Sequence, residues 1–122
     1  MTEVIFDSSF LMAVVERPTT WYEDLVDKIG KFQPVLLDCV AAELQKLASG
    51  GGNKSRTARV ALDLATAFKN RPCGGALVDD EIVSAASAGK ALVATADEGL
   101  SRSAQAAHVR VVSLSGGRVL VR

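Results

Sequence analysis

The sequence has few of the residues on which several protein classes depend. Its 122 residues include two cysteines and one histidine, and no apolar run approaches the roughly 18 residues of a membrane span. The opening MTEVIFD lacks the basic and apolar regions of a signal peptide. Cys39, Cys73 and His108 have no paired spacing of the kind that zinc ligands show, so we expect inert buried thiols. These absences predict a cytoplasmic protein.

The sequence also has no excess of either charge and few aromatic residues. Fourteen basic side chains balance fourteen acidic ones, so the formal net charge is zero. A protein that holds nucleic acid through an overall positive field is expected to be basic. Aromatic residues make up 5% of the chain, which is too little for an extended base-stacking platform. Any nucleic-acid function must therefore depend on where the charges lie.

The residues that are present predict a single α/β domain over 1–122. The apolar fraction of 48% is typical of a globular domain, and short apolar runs alternate with helical patterns. This order predicts a three-layer α/β/α sandwich with a mostly parallel central sheet of four to five strands and a terminal β-hairpin. The predicted strands cover residues 3–7, 35–37, 76–78, 91–95, 109–114 and 119–121.

Carboxylates follow three of these predicted strands. Asp7 comes directly after the first strand, Asp79 and Asp80 come after the third, and Asp97 comes just after the fourth. Because ligands of an open parallel sheet bind beyond the carboxyl ends of its strands, we expect these acids to share a site. The alternative is that each acid caps a helix or complements its dipole.

Glu43 lies on or beside the apolar stripe of the helix that follows the second predicted strand. It comes three residues after Val40 and four before Leu47, so it borders the buried face. An ionised carboxylate there is costly unless it is paired. The alternatives are a side chain that reaches water, or a salt bridge to Lys46 or Arg59. We favour a pocket that Glu43 shares with the other acids.

Asp7, Glu43, Asp80 and Asp97 are the candidate members of that pocket. Neighbouring carboxylates raise one another's pKa, so an ionised cluster needs a cation. Oxygen ligands without a His or Cys cluster favour Mg²⁺ or Mn²⁺. A divalent metal in such a site suits phosphodiester hydrolysis, because it activates water and offsets the charge that develops on the phosphate.

Basic residues accumulate in the middle of the chain. Lys46, Lys54, Arg56 and Arg59 lie in a stretch with few acids, around the glycine-rich segment GGGNKS. They are either solvated helix faces or a surface that guides RNA to the acidic centre, and we take them as candidate RNA-binding residues. The segment is not a P-loop, because it follows a helix and Asn53 precedes its lysine.

The order and spacing of the motifs resemble the PIN domain family, which comprises metal-dependent ribonucleases of toxin–antitoxin pairs and of ribosomal RNA processing. The doublet VDDEI and the basic helix before it look most like the archaeal PIN proteins related to rRNA-processing nucleases. The toxin branch, VapC-type, typically has a single Asp there. The matching segments are VIFDSSFLM (4–12), PVLLDCVAAELQKLA (34–48), VDDEIVSAA (78–86), ALVATADEGL (91–100) and VRVVSLSGGRVLV (109–121).

The resemblance implies roles for individual residues. In the doublet, Asp80 fits the family's acid followed by two apolar positions, and Asp79 is expected to cap the helix. The family often has another acid two residues after its last Asp, where this chain has Gly99. The identity of the outermost metal ligand is therefore left open. The implied catalytic metal ligands are Asp7, Glu43, Asp80 and Asp97, with Asp79 and Glu98 as additional candidates and Ser9 and Thr95 as hydroxyls that orient carboxylates.

We therefore expect a Mg²⁺- or Mn²⁺-dependent endoribonuclease that hydrolyses RNA phosphodiester bonds in rRNA processing. The alternatives are a toxin ribonuclease of a toxin–antitoxin pair and a non-catalytic PIN-like module that binds RNA or protein. A phosphoacceptor domain is disfavoured, since the strand at 109–114 supplies no lysine. The resemblance implies single-stranded or looped RNA, rRNA included, as substrate. It also implies a homodimer, an antitoxin or ribosome-assembly partner, and no organic cofactor.

Overall fold

The computed structural model describes residues 1–122 and contains six strands and six α-helices. No helix has both the length and the apolar character that crossing a membrane requires. A single 3-10 turn, Ala65–Ala67, follows the fourth helix. In chain order the elements are β1 Thr2–Phe6, α1 Ser8–Glu16, α2 Trp21–Ile29, β2 Phe32–Leu37, α3 Asp38–Ala48, α4 Asn53–Leu64, β3 Lys69–Arg71, α5 Val78–Gly89, β4 Leu92–Ala94, α6 Glu98–Ala106, β5 Val111–Ser115 and β6 Arg118–Val121.

The six strands form one sheet in the order β3-β2-β1-β4-β5-β6. All neighbours are parallel except β5 and β6, which form an antiparallel hairpin. The chain moves outward from β1 to β3 and then crosses to the other side of β1. Right-handed crossovers in opposite directions place α1–α4 on one face and α5 and α6 on the other. The predicted α/β/α sandwich with a terminal hairpin is confirmed, with six strands instead of four to five.

This reversal of direction determines where a ligand site lies. Strands β1 and β4 are neighbours, but the connections that follow them go to opposite faces of the sheet. The backbone N–H of Asp7, just after β1, donates to the carbonyl oxygen of Ala94 at the end of β4, at 2.9 Å. The crevice beyond such a reversal is the usual ligand position in an open parallel sheet.

The third predicted strand is not formed. Val78 is the first residue of α5, and Leu77 before it is 77% exposed. The edge of the sheet is instead β3, whose polar residues pair with β2 through the backbone. A three-residue polar edge strand has no apolar pattern by which the sequence could reveal it. Asp79 and Asp80 consequently lie in the first turn of α5 and do not follow a strand.

Cys39 and Cys73 form a disulfide, so the expectation of two separate thiols is wrong. In the β2–β3 register Leu37 lies opposite Arg71, and each cysteine comes two residues after its member of that pair. Their Cα atoms are 6.0 Å apart, within the usual range of about 4.4–6.8 Å for disulfides. Because the pairing depends on β3, it could not be predicted without that strand.

All six aromatic residues form one connected cluster in the core. Phe6 has no exposed surface, and the ring centroids of Phe10, Trp21, Phe32 and Phe68 lie within 6.5 Å of its own. The remaining aromatic ring, Tyr22, contacts two members of this group. The few aromatic residues therefore stabilise the packing of α1 and α2 on β1 and β2, directly behind Asp7.

We expect the disulfide to stabilise the fold measurably. The bond closes a loop with a sequence separation of 34, so reduction should lower the free energy of unfolding by about 2–4 kcal/mol, largely through the entropy of the unfolded chain. Urea unfolding with and without a phosphine reductant tests this. A Cys39→Ser/Cys73→Ser double variant is the control, because reductant should leave its transition unchanged. Equal stability of the oxidised and reduced wild-type protein would contradict the prediction.

Candidate active site

Asp7 is the buried centre of the candidate site, with only 6% of its surface exposed. Its Oδ2 accepts hydrogen bonds from Ser9 Oγ at 2.5 Å and from Thr95 Oγ1 at 3.0 Å. Its Oδ1 accepts none from the chain, and no fully buried side-chain oxygen lacks a partner, so Oδ1 is open to solvent. One carboxylate oxygen is thus fixed by the protein and the other is free for a ligand.

The hydroxyls that hold Asp7 also fix the segment after β4. Ser9 Oγ accepts from the backbone N–H of Ala96, and Thr95 Oγ1 accepts from that of Asp97, each at 3.0 Å. A hydroxyl has a single proton, which goes to Asp7 here, and its lone pairs remain for the amides. The structure places Ser9 and Thr95 where residues that orient carboxylates are needed.

Asp97 lies next to this network at the start of α6. Its Oδ1 accepts a hydrogen bond from the backbone N–H of Leu100 at 3.0 Å, so it caps the helix, and its Oδ2 accepts none. A Cβ atom on Gly99 would come 3.2 Å from Asp97 Oδ1, so a side chain at that position would crowd the acid. Glu98 is exposed and its carboxylate lies 3.8 Å from Arg102.

Glu43 approaches the same centre from α3. Its Oε1 accepts a hydrogen bond from Ser8 Oγ at 3.3 Å. Partial burial, followed by the charge of Asp7, raises the pKa of Glu43 above its ordinary value, and Asp79 adds to the rise while the Ser8 hydroxyl opposes it. Ser8 was not among the predicted site residues, although its position directly after Asp7 was the available signal.

Asp79 is the member of the acidic doublet that interacts with the other acids. Partial burial raises the pKa of Asp79, and the charges of Asp7, Asp97 and Asp80 raise it further. The prediction that Asp79 caps α5 is wrong, because Leu77 occupies the N-cap position and no side chain caps the helix. Asp80 lines an open depression between α5 and the end of α6.

No cation of the chain neutralises this acidic cluster, which we define as Asp7, Glu43, Asp79 and Asp97. The salt bridges of the protein involve Glu3, Asp24 and Glu98 instead. In addition, no group of three or more His, Cys, Asp or Glu side chains is placed so that it could hold a metal ion. Magnesium is usually held by only one or two carboxylates and keeps several waters. Asp7 Oδ1 and Asp97 Oδ2 accept no hydrogen bond from the chain, so each remains available as a ligand.

A cleft of about 630 Å³ opens beside Glu43, and we call it the lysine cleft. Arg59 does not line it and donates to the carbonyl oxygen of Ala48 at 2.9 Å, and Arg56 is exposed elsewhere on α4. Of the four predicted RNA-binding residues, two therefore adjoin the acidic cluster. The cleft is lined by Ser8, Glu43, Lys46, Leu47, Gly50, Gly51, Lys54 and Ser55.

The parallel sheet, the acids beyond the ends of β1 and β4, and the basic cleft beside them together define an α/β domain with a candidate ligand site where the direction of the connections reverses. The profile of the PIN-like domain family matches residues 4–117. The chain therefore belongs to the PIN-like domain family, whose members are generally nucleases.

Several solved structures resemble this chain over most of its length. The PIN domain endonuclease Utp24 is 29% identical with a TM-score of 0.77, covering 98% of this chain and 90% of its own. The VapBC2 complex from Rickettsia felis, bound to a DNA fragment from its promoter, contains a chain that is 15% identical with a TM-score of 0.63, and the match covers 83% and 92% of the two chains. A domain from Methanocaldococcus jannaschii is 16% identical with a TM-score of 0.64, and the match covers 100% and 97%. The last two show the fold alone. No curated protein matches the sequence significantly.

We expect Asp79→Asn to stabilise the metal-free protein relative to Asp80→Asn. Both substitutions remove an acid from the first turn of α5 and its favourable dipole interaction, but only the first also removes repulsion from Asp7 and Asp97. Because Asp79 is largely exposed and screened, the melting temperature at neutral pH should differ by only about 1–4 °C.

The pH dependence of this difference follows from the raised pKa of Asp79. The folded protein then binds the proton more tightly than the unfolded chain, so ionisation destabilises the fold as pH rises through the folded pKa. The difference between the variants should therefore be largest near neutral pH and vanish below about pH 4, where the acid is protonated in both states. Thermal melts in EDTA across pH test this, and a difference that is constant with pH would contradict it.

Proposed function

We propose that this PIN-like domain is a Mg²⁺- or Mn²⁺-dependent endoribonuclease that hydrolyses RNA phosphodiester bonds. The observation that carries the proposal is the acidic cluster, whose carboxylates repel one another through their charges and have no cation of the chain as a partner. Such an arrangement destabilises the empty protein and weakens, without abolishing, its affinity for a phosphodiester. Both effects are reversed by a divalent cation, for which the free carboxylate oxygens are suitable ligands.

Each residue of the site has a separate proposed role in hydrolysis. A bound Mg²⁺ or Mn²⁺ would supply charge neutralisation at the phosphate and acidify a water molecule. Asp7 and Asp97 would hold the cation through Oδ1 and Oδ2, respectively, and the Ser9 and Thr95 hydroxyls keep Asp7 oriented. Glu43 has Oε1 engaged by Ser8, which leaves Oε2 to accept a proton.

For the third acid we propose Asp79 in place of Asp80. Asp79 interacts with Asp7 and Asp97, whereas Asp80 lines the depression beside α6. Glu98 extends toward Arg102 and is a weaker candidate for the metal. The assignment to Asp80 rests on the family pattern and on its position one turn before Ser84. The activities of the two Asp→Asn variants distinguish the two assignments.

Ribosomal RNA processing is the role that we propose for this activity. The VDDEI doublet with its preceding basic helix supports it, and so does the similarity to the PIN domain endonuclease Utp24 over 98% of the chain. The lysine cleft places Lys46 and Lys54 beside Glu43, where they can contact phosphates of a single-stranded or looped RNA. A ribosome-assembly partner and a homodimer belong to the same proposal.

A non-catalytic PIN-like binding module is the second candidate function. It is favoured by the lack of three carboxylates at metal-cage distance and by Gly99, where an additional acid is common in the family. A toxin role has less support, because the similarity to the VapBC2 chain is 15% identity and concerns the fold.

Replacing single acids should separate these candidates. With Mg²⁺ or Mn²⁺ and a labelled single-stranded RNA, Asp7→Asn, Asp79→Asn and Asp97→Asn should each lower the cleavage rate at least about 100-fold, beyond the 10–100-fold loss typical of residues that only orient ligands. EDTA should abolish cleavage by the wild-type protein. Asp80→Asn is the matched control and should keep most of the activity. Cleavage that survives Asp7→Asn and Asp97→Asn would refute the nuclease proposal.

The lysine cleft makes a separate prediction about binding. A Lys46→Ala/Lys54→Ala variant should bind single-stranded RNA more weakly. It should lower the salt dependence of log K by about 1.4 units, because roughly 0.7 counterions are released per phosphate contact and two contacts are lost. Fluorescence anisotropy in EDTA at several salt concentrations measures this. Lys28→Ala/Lys31→Ala removes two exposed charges at the end of α2 and should leave the slope unchanged. Equal slopes for both variants would exclude the cleft as the RNA path.

A further inference from the structure

A second cleft, which we call the serine cleft, opens on the other side of the acidic cluster, beside Asp97. Its volume is about 290 Å³, at the lower end of the range of about 300–1,000 Å³ for small-ligand pockets. It is less than half the volume of the lysine cleft, so it suits a small group such as a single sugar. The lining residues that matter for its chemistry are Thr95, Asp97, Glu98, Ser101, Ser113 and Arg122.

Ser101 contributes an unpartnered hydroxyl to this cleft. The residue is only 7% exposed, yet its Oγ makes no hydrogen bond within the chain. Serine and threonine inside helices usually bond back to the carbonyl four residues earlier or point into solvent, and Ser55, Thr57 and Thr66 do bond back in this protein. Ser101 does not bond back. Because no fully buried side-chain oxygen lacks a partner, its Oγ keeps some accessible surface, and the residue lines the serine cleft.

The charges around the serine cleft favour a neutral ligand with hydroxyl groups. Asp97 and Glu98 lie on one side and would repel a phosphate. On the other side a single cation, Arg122, places Nη2 3.5 Å from Ser113 Oγ. Hydroxyls both donate and accept hydrogen bonds, as the 2′-hydroxyl of ribose does. A ribose therefore fits the lining better than a phosphate group.

We propose that the serine cleft binds the ribose of the nucleotide next to the cleaved phosphate, and that Ser101 hydrogen-bonds to its 2′-hydroxyl. The site would then select RNA over DNA through this contact. The inference rests on the proposed function, because the cleft shares Thr95 and Asp97 with the candidate active site.

The test compares RNA with DNA under conditions in which nothing is cleaved. Fluorescence anisotropy in EDTA measures the affinity of the full chain for a short single-stranded RNA and for DNA of the same sequence. The wild-type protein should bind the RNA about twofold to tenfold more tightly, as one or two neutral hydrogen bonds allow. Ser101→Ala should bring this ratio close to one by weakening RNA binding alone. A wild-type protein without preference would overturn the proposal.

Two further variants make the test specific. Ser103→Ala, on the exposed side of the same helix, is the matched control and should keep the RNA preference. Leu120 is 43% exposed at the cleft, so Leu120→Trp should fill the cleft and remove the preference without disturbing the core. A ratio that Ser101→Ala and Leu120→Trp leave unchanged would refute the ribose site.

The outcome also separates this inference from the proposed function. Because the binding measurement contains no metal, it does not depend on catalysis. An RNA preference that Ser101→Ala removes, in a protein that cleaves no RNA with Mg²⁺ or Mn²⁺, would support the ribose site and refute the nuclease. Metal-dependent cleavage, together with an RNA preference that Ser101→Ala leaves intact, would support the nuclease and refute the ribose site.

Discussion

The two hydrogen bonds that converge on Asp7 Oδ2 are the interaction on which both the fold and the site depend. Asp7 follows the three fully buried residues 4–6 of β1 and precedes buried Phe10. A carboxylate in such surroundings is tolerated only with hydrogen-bond donors. Ser9 supplies one donor locally, and Thr95 supplies the other from 88 residues away in sequence. The same contacts align the ends of β1 and β4, so the centre of the sheet and the carboxylate are positioned together.

A disulfide, and not a hydrogen-bond network, restrains the helices that carry Glu43 and Asp79. Glu43 and Asp79 lie on α3 and α5, which cover opposite faces of the sheet. Cys39 lies in the first turn of α3, and Cys73 lies in the connection that leads to α5. The disulfide therefore restrains the approach of these two acids from outside the sheet, while the hydroxyl network restrains Asp7 and Asp97 from within it. Repulsion within the acidic cluster is thereby contained by the scaffold.

The sequence predicted the features that depend on long apolar patterns and missed those that depend on register. Buried parallel strands with acids at their ends are visible as VIFD and LVATAD, so the fold and the position of Asp7 and Asp97 could be predicted. Strand β3 has no apolar pattern, and the disulfide follows from its register. For the acidic doublet, the buried residues Ile82 and Ala86 mark the helix face that packs on the sheet. Asp79 precedes Ile82 by three residues and so shares its helix face, whereas the family pattern drew attention to Asp80.

The two edge strands of the sheet, β3 and β6, affect how copies of this chain can associate. Lys69 and Arg71 on β3 pair with Glu3, and Arg118 on β6 pairs with Asp24. Short edges that carry cations resist the addition of a foreign strand, and Pro72 removes the next backbone donor after β3. Sheet extension between copies, and the fibrous aggregation that follows from it, are therefore disfavoured. A stable association of this domain is expected to use its helical surfaces.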